Sequence, residues 1–128
     1  DEHADALFFL HTFHQSRTWR PGRNKPEPPV VFEYVVYYSD GTQEVVPIQL
    51  QRGVQDFVLE EHEALPDAAV AWRTAGADDK QVAVYQYQWN NPHPNKPVQS
   101  VAVRYNKDEG PTYGAPVLLG LTVANRIE

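Results

Sequence analysis

The chain has 128 residues, 41% of them hydrophobic, which suits one domain with a real core and no need of metals or covalent staples. It contains no cysteine, so disulfides, thiolate nucleophiles and cysteine-ligated zinc are excluded. A formal net charge of -6 argues against nucleic acid, whose phosphates need a basic stripe, and no apolar run approaches the ~20 residues of a membrane-spanning helix.

Residues 4–12, Ala-Asp-Ala-Leu-Phe-Phe-Leu-His-Thr, form a short apolar run closed by polar groups and predict a buried first strand. From Phe13 to Pro29 the chain carries Arg17, Trp19, Arg20, Arg23 and Lys25 among Pro21, Pro26, Pro28 and Pro29. Proline donates no ladder hydrogen bond, so this segment predicts a long loop, and long loops in compact domains are often functional. Residues 30–50 predict a hairpin around Asp40-Gly41, with Val46, Ile48 and Leu50 pointing inward and Pro47 marking an edge strand or a bulge. Gly53 breaks the run, residues 54–59 predict another short strand, and Glu60, Glu61 and Glu63 form a solvated acidic turn around His62.

Residues 68–74 are apolar enough to predict a buried strand, which makes Trp72 a core residue. After a turn at residues 76–79, Val82 to Trp89 alternates cleanly. Tyr85, Tyr87 and Trp89 share one face, and Val82, Val84, Gln86 and Gln88 the other. Tyr85 and Tyr87 read mainly as core. The row runs into Asn90-Asn91-Pro92-His93-Pro94, so an aromatic face leads directly to a polar loop. Residues 98–105 predict a seventh strand, 106–111 a polar turn, and 116–123 the last and most apolar strand. Eight short strands with regular turns and no convincing helix predict an all-β antiparallel β-sandwich of a single domain.

Few residues suggest catalysis. His11 and His14 would point to opposite faces of a strand, which disfavours a shared metal, and His11 suits a buried hydrogen bond at a strand end. Asp56, Glu60, Glu61, Asp108 and Glu109 are available as an acid and base pair, but their separation in space is not written in the sequence. There is no phosphate-binding glycine loop and no Gly-x-Ser-x-Gly elbow. A chain that begins at Asp1 and lacks methionine is expected to be a processed product or a module of a longer polypeptide, which favours an accessory role.

Leu7-Phe8-Phe9-Leu10-His11-Thr12, Tyr34-Val35-Val36-Tyr37-Tyr38-Ser39-Asp40-Gly41, Gly53-Val54-Gln55-Asp56-Phe57, Val70-Ala71-Trp72, Tyr87-Gln88-Trp89-Asn90-Asn91-Pro92-His93-Pro94 and Pro116-Val117-Leu118-Leu119-Gly120-Leu121-Thr122 span nearly the whole chain. Their order resembles the galactose-binding-like jelly-roll modules attached to bacterial glycoside hydrolases. The resemblance implies a jelly roll of about eight strands that is not itself catalytic, and that either binds carbohydrate or props a catalytic domain.

The resulting expectation is a non-catalytic carbohydrate-binding module of a secreted or periplasmic bacterial polysaccharide-degrading protein, with an oligosaccharide or polysaccharide and a catalytic domain of the same chain as partners. No nucleic acid, membrane or cofactor is expected. A structural calcium, common in such jelly rolls, would draw on the loops around Asp78 and Asp79 or Asp108. Trp19, Arg20, Trp89, Asn90, Asn91 and His93 are the expected ligand contacts, since sugars stack on aromatic faces while their hydroxyls need donors and acceptors. Trp19 reads equally as a sugar platform or as packing over the sandwich end. The alternative function is a structural β-sandwich that packs on a catalytic domain and binds no sugar.

Overall fold

The computed structural model describes residues 2–22 and 26–125. The strands are β1 (Ala6–Gln15), β2 (Val30–Tyr38), β3 (Gln43–Gln49), β4 (Val58–Leu59), β5 (Ala68–Ala75), β6 (Gln81–Asn90), β7 (Val98–Tyr105) and β8 (Gly114–Ala124). The one helical element among the described residues is a 3-10 turn at Ala77–Asp79.

Two antiparallel sheets face each other, as the alternation predicts. One has the order β3-β2-β7; the other runs β4-β6-β1-β8, with β5 also paired to β6. β5 follows one edge of β6, while β1 holds the other edge from Tyr85 onward and β4 takes it at Gln81 and Val82. First pairs with last and second with seventh, so each sheet of the antiparallel sandwich joins an early strand to a late one. Pro47 lies on β3, at a sheet edge, where its missing N–H leaves no ladder bond unmade.

The core is aromatic. Leu7, Phe9, His11 and Phe13 point inward from β1 onto Phe32, Tyr34 and Val36 of β2 and onto Val46 and Ile48 of β3. Phe9 and Tyr34 stack across the sheets at 3.9 Å between ring centroids and 14° between planes. The inward alternation 7, 9, 11, 13 extends the first strand to Gln15, beyond the expected end at Thr12, because Phe13, His14 and Gln15 pair with Pro116, Ala115 and Gly114. Gly114 is required there: its φ is +144° and an added Cβ would fall 2.1 Å from the His14 carbonyl oxygen.

Two other expectations are corrected. Trp72 is not core but 54% exposed. Val70 pairs with Tyr85 while Trp72 pairs with Val84, so a bulge at Ala71 advances β5 by one residue and turns the indole to the outer face. Of residues 54–59 only Val58 and Leu59 form a strand; the preceding stretch touches the sheets through single bridges at Val54 and Asp56.

Candidate functional site

Alternation along β6 settles how the aromatic and polar residues at its end are divided. Tyr87 and Trp89 face inward and toward the flank of the sandwich, where β3 is the opposing edge, and Asn90 faces the outer surface. The flank holds a groove of about 290 Å³ lined by Val30, Val45, Pro47, Gln49, Asp67, Tyr87 and Trp89, with Val46 and Gly53 at its floor.

Each wall has a local cause. Tyr87 is seated by Gly53, where an added Cβ would lie 3.4 Å from its ring and 3.3 Å from the Ile48 methyl. Gly53 is in turn held by His11, whose Nε2 donates to the Gly53 carbonyl at 2.7 Å and whose ring lies 6.0 Å from that of Tyr87. Burial, with the Asp67 carboxylate nearby, raises the pKa of the Tyr87 hydroxyl, so it remains a neutral donor. Gln49 is oriented by donating Nε2 to the Pro28 carbonyl at 2.8 Å.

Asp67 forms the polar rim. Its two oxygens accept from Arg52 at 3.2 and 3.4 Å, and the pair is about half exposed. An ion pair this open is worth about 0–1 kcal/mol, so both groups can turn to ligand hydroxyls at little cost. Beyond Gln49 the surface continues into a second hollow of about 440 Å³ lined by Glu27, Pro28, Gln51 and Arg52. The groove thus presents two aromatic rings, an amide, a carboxylate and a guanidinium along one open path.

The other expected contacts lie elsewhere. Asn90 accepts from Gln88 at 2.9 Å and borders an outer hollow with Phe8 and Pro94. Asn91 is 7% exposed; it donates to the Ala4 carbonyl at 2.7 Å and accepts from Tyr38 Oη at 2.6 Å and from the His93 backbone at 2.9 Å. Its amide holds the loop to the chain's first residues and to β2. Burial, with Glu44 and Asp40 nearby, pushes the Tyr38 hydroxyl up to about 12 and keeps it a donor in that network. His93 meets Glu44 at 3.0 Å and stands edge-on to the Tyr38 ring. Trp19 packs against the core and Arg20 is exposed, both on the connection that leaves the far end of β1, about 30 Å of strand from the Asn91 loop. Arg23 and Lys25 lie outside the described residues. The six residues therefore do not form one cluster; Trp89 enters the groove, and Gln49, Arg52, Asp67 and Tyr87 join it.

The buried histidines are structural. His62 accepts from Tyr85 Oη at 2.6 Å through Nδ1, and Nε2 faces the carbonyls of Phe57 and Gln81 at 3.1 and 3.0 Å. Nothing in the sequence of the acidic turn marked it as the anchor of that turn; its neighbours Glu60, Glu61 and Glu63 are exposed as expected. Among the described residues no three His, Asp or Glu side chains converge as a metal site would require, and Asp78 and Asp79 sit on an exposed turn. Compared with family models, curated proteins and solved structures, the chain finds no match.

Proposed function

We propose that the chain is a non-catalytic carbohydrate-binding module that takes a glycan along the flank groove, with Trp89 and Tyr87 as the apolar platform and Gln49, Asp67 and Arg52 as hydroxyl partners. One observation carries this reading: two aromatic side chains on the same strand face share an open groove with an amide and a loosely paired Asp–Arg couple. Pyranose rings need that combination of apolar faces and both donors and acceptors.

Hydrolysis is disfavoured by the lining. Glycoside cleavage uses two carboxyl groups about 5–9.5 Å apart flanking the bond; beside Trp89 and Tyr87 the groove itself is lined by one carboxylate, Asp67, while Glu27 lies with Arg52 in the hollow beyond Gln49. A binding module of this kind works with dissociation constants in roughly the millimolar to micromolar range, because tethering to a catalytic domain, in a secreted or periplasmic polysaccharide-degrading protein, raises local substrate concentration.

Affinity electrophoresis in gels containing soluble plant, algal and bacterial polysaccharides tests the proposal. Retardation in at least one gel, lost with Trp89→Ala and kept with Trp72→Ala, is the expected result. Mobility unchanged in every gel would leave the structural accessory role, and release of reducing sugar would make the chain an enzyme.

A further inference from the structure

The flank opposite the groove is open in a different way. There β7 and β8 are the outer strands of their sheets, and the side chains that the register points inward are incompletely covered. On β7, Val103 lies beside Tyr34 and Tyr105 beside Phe32, yet they are 43% and 40% exposed while their neighbours are fully buried. On β8, Leu118, Leu121 and Val123 lie beside His11, Phe9 and Leu7, and are 41%, 40% and 38% exposed. Leu119, extruded by the bulge between Leu118 and Gly120, is 60% exposed. Core positions of both sheets thus form one apolar seam.

The edge of β8 adds a second feature. It is an 11-residue strand without a charged side chain, and no described strand pairs with its outer edge. Long, uncharged, apolar edges are templates for strand pairing, and isolated proteins normally block them with charge, proline or a covering element. Pro116 lies near one end and leaves the rest unprotected.

We propose that this seam is a homodimer interface: two copies meet seam to seam, with β8 antiparallel to the partner's β8 about a two-fold axis near Leu119. Area supports a protein-sized occupant. The chain exposes 7933 Å², whereas a folded monomer of 14.6 kDa exposes about 6,900 Å² by mass scaling. The excess of about 1,000 Å², summed over the whole chain, is of the order of the ~800 Å² that each partner contributes to a standard interface. Charge selects a second copy. On a molecule of net charge -6, this uncharged strand lets like meet like without opposing carboxylates. The antiparallel arrangement also sends the turns carrying Asp108 and Glu109 to opposite ends of the paired strands. Both Trp89 grooves stay on the outer flanks, open to ligand.

Sedimentation velocity of the whole chain, from low concentration up to on the order of 100 μM, tests this, since that range covers micromolar dissociation constants. The expected result is a species of twice 14.6 kDa that becomes monomeric in Leu119→Lys and, separately, in Thr122→Lys, with thermal unfolding of each monomer still cooperative. Both substituted side chains are exposed, so neither change enters the core. A monomer at every concentration, a dimer indifferent to both substitutions, or open-ended larger species would each overturn the proposal.

Discussion

Tyr34 Oη lies 2.7 Å from Nδ1 of His11 in the centre of the sandwich, and the direction of that hydrogen bond is fixed by a third group. Nε2 of the same ring faces the Gly53 carbonyl at 2.7 Å, and a carbonyl only accepts, so Nε2 carries the proton and Tyr34 donates to Nδ1. The neutral ring satisfies both partners. Protonating it would put an N–H on Nδ1, so that Tyr34 could no longer donate there, and would place a charge in the core; burial pushes the His11 pKa down from 6.5 to about 4.

That shift makes stability depend on pH. The unfolded chain binds a proton at His11 between pH 6.5 and 4 while the folded chain does not, so the contribution is present above 6.5 and is lost as pH falls toward 4. A difference of that size amounts to about 3 kcal/mol. Urea unfolding at stepped pH should show this loss in the wild type. His11→Gln should be less stable at pH 7 by about 1–3 kcal/mol, through unpaired Tyr34 and Gly53, and should depend less on pH across the same window.

Trp72 and Phe9 should separate surface from core. Trp72→Ala removes a half-exposed indole from an outer face and should change stability by no more than about 0.5 kcal/mol. Phe9→Ala empties a fully buried site stacked on Tyr34 and should cost about 3–5 kcal/mol. Denaturant midpoints for both variants check the contrast; a large loss on Trp72→Ala would contradict the bulge at Ala71.

Asn91 and Asn90 are adjacent but have different work. Asn91→Ala should cost about 1–3 kcal/mol, because it strips a buried amide from the Ala4 carbonyl, Tyr38 and the His93 backbone. Asn90→Ala, on the exposed outer face, should be near neutral. Per folded molecule, neither should alter glycan retention, since neither lines the groove. Thermal melts combined with affinity electrophoresis separate the two effects.

The strand pattern was legible because period-two alternation records one buried face, and Phe9, Tyr34, Ile48 and Tyr85 all obey it. Trp72 was misread because a bulge changes facing without changing composition. The groove was half legible. Trp89 announces itself as an aromatic at a strand end, whereas Gln49, Arg52 and Asp67 reach it only through the folding together of β3, the turn after it and the start of β5. Asn91 and His62 illustrate the converse: polar residues in loops can be spent on holding the fold, and only their hydrogen-bond partners show it.

The most direct test of glycan binding in the flank groove is the fluorescence of Trp89 alone, in a chain carrying Trp19→Phe and Trp72→Phe, titrated with a polysaccharide that retards the wild type. Stacking of a sugar on the indole should shift or quench its emission saturably, with half-saturation in roughly the millimolar to micromolar range. A Trp89 signal that stays constant, while a chain retaining only Trp19 responds, would contradict the account and move the binding site to the connection between β1 and β2.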